Sequence, residues 1–301
     1  MRKGTSSPPQ LRRAARHGTP AMVNQIRIAH SPDSDDAFMF YALTQGRLDT
    51  SGLEIEHRLT DIETLNQAAF AGTYEVTALS FHAYAHLADR YQLMPSGASF
   101  GDGYGPVVVA RAPVEREALA GTRVAIPGAL TTAALALRLW QPEVETVVRP
   151  FDAILEAVAS GELAAGVVIH EGQLTFGDLG LHGCDLGAWW QGETGGPLPL
   201  GGNGIRRDLD ERLKLRLCRL LAESIEYALA HREEALAYAV RFAREIAADP
   251  DRSDRFVGMY VNDWTRSYGE AGRRAVQELL DRGHAAGIIP RAITAEFADE
   301  R

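Results

Sequence analysis

The run Val167-Val168-Ile169-His170-Glu171 is apolar until it ends on an imidazole and a carboxylate. In parallel α/β sheets ligands gather at the C-terminal ends of strands. Histidine titrates near neutrality and is the side chain most often used as a general base. His170 is therefore the candidate catalytic residue, against the alternative of a structural histidine at a strand end. Adjacent residues on a strand point to opposite faces, so Glu171 is not expected to orient the ring. Three further junctions place polar groups where helices begin: Ser31-Pro32-Asp33-Ser34-Asp35-Asp36, Thr77-Ala78-Leu79-Ser80, and Pro127-Gly128-Ala129-Leu130-Thr131-Thr132-Ala133. The first backbone N–H groups of a helix have no intrahelical acceptor, and a neighbouring hydroxyl adds a donor, which suits the carboxylate of a small ligand. The same Ser and Thr residues are also ordinary N-caps.

Other spacings carry less chemistry. His82 and His86 stand four apart on a helical pattern, yet no third ligand accompanies them, and no metal site is expected. Gly101-Asp102-Gly103-Tyr104-Gly105 lacks the Gly-Lys-Ser/Thr ending of a phosphate loop and precedes a strand, so it reads as a crossover bend. Trp189-Trp190 reads as core, and there is neither a nucleophile elbow nor a Ser-His-Asp signature.

These junctions need elements to hold them. Ile26 to Ala29 reads as a strand, followed by a helix capped at Ser34 or Asp35 with Phe38, Tyr41 and Ala42 on one face. Leu53 to His57 is a second strand, and Asp61 caps a helix that buries Ile62, Leu65, Ala68 and Ala69. Glu75 to Leu79 runs straight into a helix beginning near Ser80. After a glycine-rich segment the pattern restarts: strand Val124 to Ile126, helix Thr131 to Trp140, strand Thr146 to Val148, helix Asp152 to Ser160, strand Gly166 to Ile169. Leu198 to Gly202 is the return crossing, and from Leu209 the chain is helical. Such alternation predicts mostly parallel sheets covered by helices. The layout is a discontinuous first domain, 22–109 and 200–301, with a second domain, 110–199, inserted into it.

The 301 residues carry a formal charge of −9. Residues 1–21 hold five basic residues, no acid and Pro8-Pro9, and read as a disordered extension with Met22 as an alternative start. They contain no apolar core of a secretory signal. The remaining chain carries −14, which argues against nucleic acid as a partner. An anionic ligand must accordingly be held by local donors. No apolar run is long enough to span a membrane, and Cys184 and Cys218 read as reduced thiols.

Several segments, taken together and in order, resemble a known family. They are Ser-Pro-x-x-x-Asp-x-Phe at Ser31 to Phe38, Asp-x-Glu-Thr-Leu-Asn at Asp61 to Asn66, Leu-Ser-x-x-Ala-Tyr at Leu79 to Tyr84, and Gly-Pro-Val-Val-Val-Ala-Arg at Gly105 to Arg111. Val-Ala-Ile-Pro-Gly-x-x-Thr-Thr-Ala at Val124 to Ala133, Ile-His-Glu at Ile169 to Glu171, and Asp-Leu-Gly-Ala-Trp-Trp at Asp185 to Trp190 with Leu-Pro-Leu-Gly after it complete the set. From Gln25 onward the chain resembles the 1,4-dihydroxy-6-naphthoate synthase family of the futalosine route to menaquinone. The resemblance implies a two-lobed α/β fold of the periplasmic-binding-protein-like type II class, with the ligand in the cleft between lobes. It implies a cytoplasmic carbon–carbon lyase that takes a small carboxylated substrate, cyclic dehypoxanthinylfutalosine, and needs no cofactor. The family's proton acceptor falls on His170, and its substrate contacts fall on Ala78, Leu79 and Ser80 and on Thr132 and Ala133. The chain departs from the family's first motif at Asp33-Ser34-Asp35, where the family carries Cys-Pro-Asn, adding acid beside the expected cleft. A non-catalytic solute-binding protein and the sister chorismate dehydratase share the architecture. The first would carry an export or lipidation signal, and the His-Glu junction and the Asp-Leu-Gly-Ala-Trp-Trp segment argue against the second.

Overall fold

The computed structural model describes residues 25–243 and 246–299; the extension at 1–21 and Met22 lie outside the described residues. The chain enters one sheet, passes to a second and returns. The first holds β1 (Gln25–His30), β2 (Glu54–Leu59), β3 (Val76–Ser80), β4 (Tyr91–Leu93) and β5 (Ser99–Gly101). The second holds β6 (Val107–Ala110), β7 (Arg123–Ile126), β8 (Glu145–Val148), β9 (Ala165–Val168) and β10 (His182–Asp185), and β11 (Leu198–Arg206) rejoins the first. The orders are β2-β1-β3-β11-β4, with β5 also on β11, and β10-β6-β9-β7-β8.

The strands fed by strand–helix–strand units run parallel, β1 with β2 and β3, and β7 with β8 and β9. Those that come directly from the other sheet run antiparallel: β11 against β3, β4 and β5, and β6 against β9 and β10. Expecting mostly parallel strands thus overlooks the crossings, where the strand arriving from the other sheet pairs antiparallel with those it joins. Val107 to Val109 pair wholly within the second sheet.

Helices α1 (Ser34–Met39) and α2 (Tyr41–Thr44) follow β1, α3 (Ile62–Phe70) follows β2 and α4 (Phe81–Leu87) follows β3. The second sheet carries α5 (Thr132–Trp140), α6 (Ile154–Ala159) and α7 (Leu186–Thr194). After β11 come α8 (Glu211–Ala230), α9 (Arg232–Ala239), α10 (Pro250–Tyr260), α11 (Asp263–Arg266) and α12 (Gly269–Ala285). Asp61 caps α3 by accepting from Thr64 N, as its sequence position predicts. The helix expected from Ser34 instead breaks at Phe40 into two short pieces, and the residue at its N-cap is Asp33. Phe40 there stacks on His30 with ring centroids 4.3 Å apart.

The largest apolar cluster crosses from lobe to lobe, joining Phe81 and Tyr84 of α4, Leu135 and Leu137 of α5 and Val276 and Leu279 of α12. Trp190 is buried in it and donates its indole N–H to Pro197 O, which confirms its reading as core. Smaller clusters lie outside each sheet. At the first crossing, backbone packs on backbone: a Cβ built on Gly187 would fall 1.9 Å from Tyr104 O, and one on Gly101 would meet the same atom at 1.9 Å. Both cysteines are free thiols. Among the described residues no helix is long and apolar enough to cross a membrane.

Candidate active site

Between the sheets lies a cleft of about 810 Å³, continuous with solvent. Ala78, Leu79, Ser80, Thr132 and Ala133, the five binding residues expected from sequence, all line it. Polar contacts close the lobes over it. The backbone N–H of His82 donates to Thr132 Oγ1 at 3.4 Å, and Leu130 N donates to Glu63 Oε2 at 3.2 Å. Ser34 Oγ donates to Glu171 Oε1 at 3.2 Å, and Tyr260 OH donates to Gln173 Oε1 at 2.6 Å.

One wall is rich in neutral donors. Ser80 ends β3 and caps α4 with its backbone alone; its N–H donates to Asn66 Oδ1 and its Oγ accepts from Asn66 Nδ2 at 3.1 Å. Because the amide satisfies the hydroxyl as an acceptor, the hydroxyl proton is left to donate into the cleft. Thr132 Oγ1 likewise accepts, from His82 N, and keeps its proton. Thr131 caps α5, accepting from Ala134 N and donating to Gly128 O. Thr132 and Ala133 hold the first positions of α5, where backbone N–H groups have no intrahelical acceptor. The paired histidines beside this wall, His82 and His86, have ring centroids 5.7 Å apart, and His82 is tied to Thr131 O.

The other wall is acidic. Asp33, Asp35 and Asp36 line the cleft, and no lysine or arginine does among the described residues. Burial pushes Asp36 up to about 7, with repulsion from Asp33 adding to it, although Ser31 N–H hydrogen-bonds its carboxylate. Asp35 is raised well above the ordinary carboxyl range by burial and then by Asp36, Asp33 and Glu171. Glu171 is fully buried and raised by the same desolvation and by Asp33. Burial and mutual repulsion shift Asp35, Asp36 and Glu171 toward their protonated forms.

His170 stands behind this wall rather than in it. Ile169 and Gln173 line the cleft, whereas the imidazole is 3% exposed and absent from the lining. Its Nδ1 accepts from Gly172 N at 3.1 Å, so the ring proton sits on Nε2, 3.2 Å from Phe151 O. The expectation that Glu171 faces away also fails. β9 ends at Val168, and His170 caps a 3-10 turn over Glu171–Leu174, so strand alternation no longer applies. Glu171 Oε2 lies 3.9 Å from His170 Nδ1.

Three polar lining residues that matter to the chemistry were missed by the sequence reading: Gln173, Asn203 and Tyr260. Gln173 and Tyr260 come from a turn and from the C-terminal helices, which offered no motif. Asn203 lies within the glycine-flanked return strand, where an amide between glycines was the available signal.

Comparison with known proteins adds a family to this geometry. The family model described as menaquinone biosynthesis matches residues 26–285. A 1,4-dihydroxy-6-naphthoate synthase of Thermus thermophilus is 44% identical over 267 residues, covering 88% of this chain and 96% of the relative. A protein of the same name from Streptomyces coelicolor is 36% identical over 276 residues, covering 89% and 96%. A solved protein from Archaeoglobus fulgidus superposes with a TM-score of 0.85 at 48% identity, over 89% of this chain and 99% of that one. The alkanesulfonate-binding protein of Xanthomonas axonopodis pv. citri superposes at 0.66 with 13% identity, over 90% and 96%, which establishes a periplasmic-binding-protein-like fold.

Proposed function

As the chain belongs to the menaquinone biosynthesis family and is an enzyme of the 1,4-dihydroxy-6-naphthoate synthase kind, we propose that its cleft converts cyclic dehypoxanthinylfutalosine to 1,4-dihydroxy-6-naphthoate, releasing a dihydroxyacetone fragment. This makes it a carbon–carbon lyase of the cytoplasm, acting on a small carboxylated substrate without a cofactor. The observation that carries the reading is the convergence of Ser80, Thr132 and Ala133, from both lobes, on one cleft. Their hydroxyls and first-turn N–H groups form a neutral anion-binding wall on a strongly acidic chain.

His170 is the base. It removes a proton acidified by a neighbouring carbonyl, and aromatisation of the new ring drives the step forward. In the closed state described above its Nδ1 lone pair is engaged by Gly172 N–H. Proton abstraction therefore requires the turn at Glu171–Leu174 to shift when substrate is seated, which frees Nδ1 and turns the ring past Ile169. Catalytic hydrogen bonds commonly form only in the substrate complex. Glu171, 3.9 Å from the same nitrogen, would then stabilise the imidazolium. Lobe closure excludes water around the reacting ring.

The deciding assay incubates purified protein with the cyclic futalosine derivative and follows naphthoate and dihydroxyacetone by mass spectrometry. Formation of both in equal amounts is the expected result; consumption without naphthoate would refute the assignment. Binding without turnover would instead favour a solute-binding role.

A further inference from the structure

The cleft floor contains an acceptor that nothing among the described residues satisfies. β3 and β11 are antiparallel, with Ser80 opposite Gly201 and Ala78 opposite Asn203. Residues two apart on a strand, and residues directly opposed across a ladder, share one face. Ala78, Ser80, Gly201 and Asn203 thus present the same face, and all four line the cleft. Asn203 Nδ2 donates to Gly97 O at 2.9 Å, which fixes the amide so that Oδ1 is the remaining atom. Asn203 is 1% exposed, and its Oδ1 is buried without a hydrogen-bond partner. A buried carbonyl oxygen left unpaired is costly, and in a ligand cleft it marks the place of a donor that arrives with the ligand.

Ser80 has the opposite capacity. Asn66 occupies its acceptor side, leaving a proton to give. The two side chains are diagonal neighbours across the ladder, roughly 7–8 Å apart at the backbone, about the span of a fused two-ring aromatic. We propose that Asn203 is a specificity-determining residue whose Oδ1 accepts a hydrogen bond from a ligand hydroxyl, while Ser80 donates to the carboxylate at the ligand's other end. The floor then reads polarity along its length: an acceptor group is met at Ser80 and a donor group at Asn203. A two-ring acid bearing ring hydroxyls opposite its carboxylate fits in one orientation. This deepens the functional reading given above and rests on it, because the naphthoate product is such a molecule.

The test compares 1,4-dihydroxy-6-naphthoate with 2-naphthoate, the same acid without hydroxyls, by anaerobic titration calorimetry on the wild type, Asn203→Ala and Ser80→Ala. The wild type should bind the dihydroxy acid about 10-fold or more tighter, as expected for a site left with an unpaired polar atom by the analogue. Asn203→Ala should reduce that ratio to about 2-fold or less, whereas Ser80→Ala should weaken both ligands and leave the ratio standing. A purely structural Asn203, holding Gly97 in place, would lower both affinities together and preserve the ratio in Asn203→Ala. That result, or equal affinity for the two acids in the wild type, overturns the proposal and leaves the functional reading intact. If neither acid binds the wild type, both the proposal and the functional reading fall. Asn203→Ser, which retains a hydroxyl able to accept, should recover part of the ratio and guards against misfolding of the alanine variant.

Discussion

The two walls of the cleft solve the problem of polar groups away from water in opposite ways. On the Ser80–Thr132 wall each hydroxyl is already satisfied as an acceptor by a neighbouring N–H, which leaves every free function a donor. On the Asp33–Asp36 wall acceptors crowd together, and burial raises Asp35 and Asp36 toward their protonated forms. An anion meets ready hydrogen-bond donors at one wall, and at the other carboxyls that repel it wherever they ionise. On a chain of net negative charge, orientation of a carboxylated ligand thus comes from the contrast between walls rather than from any charged anchor. The closure contacts follow the same division: the backbone N–H groups of His82 and Leu130 donate on one side, and Ser34 donates to Glu171 on the other.

The strongest way to break this contrast is at the acidic wall's root. His170→Ala should fold, because a buried imidazole gives way to a smaller group, yet lose turnover by about 100-fold or more, the scale of a general base. Retention of near-full turnover with the substrate bound normally would move the base elsewhere, with Glu171 the next group to examine. Substitutions on the donor wall should act on binding instead. Ser80→Ala and Thr132→Val each remove a hydrogen bond to a charged group, worth about 1.5–3 kcal/mol, and should raise the Kd for the naphthoate roughly 10- to 150-fold while changing the chemical step less. Titration and single-turnover rates separate the two effects, and unchanged affinity in both variants would show that these residues only cap and brace the helices.

The third effect is smaller and concerns stability. Asp36 is held at about 7 in the fold, above its value in an unfolded chain, so its folded form binds more protons across that interval. The stability it contributes is complete below about pH 4 and is lost as pH rises through 7. Asp36→Asn keeps the oxygen that accepts from Ser31 N and removes the titration. Its melting temperature should exceed that of wild type by a margin that widens by several degrees between pH 5 and pH 8. A constant margin would mean that the acidic wall is ionised throughout. The buried histidines work in the other direction. His30 and His57 are held at about 3 and about 4 by burial, so the stability they contribute is present above pH 6.5 and lost as pH falls.

What could be read from sequence followed the reach of local rules. Ala78 to Ser80 and Thr132-Ala133 were legible because a strand running directly into a helix fixes where its last residues go, whatever packs around them. His170 was legible as a strand-end residue, but its burial depends on a 3-10 turn that returns Gly172 N–H onto the ring. Four residues cannot announce such a turn. Glu171 was misjudged for the same reason, since strand alternation was applied three residues past the end of β9. Asn203, Gln173 and Tyr260 required knowledge of which elements face each other across lobes. That is set by the antiparallel return of β11 and the docking of α10, and no local pattern encodes either.

The glycine packing at the first crossing has a consequence for how the sequence can vary. Exchanging glycine for alanine at a compatible backbone position ordinarily stabilises a protein by narrowing the unfolded ensemble. At Gly187 the added methyl would occupy space already held by Tyr104 O, and backbone cannot step aside as a side-chain tip can. The least change available to the genetic code would act there as a wedge between α7 and the segment that joins the lobes. Drift is therefore restricted at a position that carries no side chain and does not line the cleft, and a mutational scan should register Gly187→Ala as a loss of folded protein.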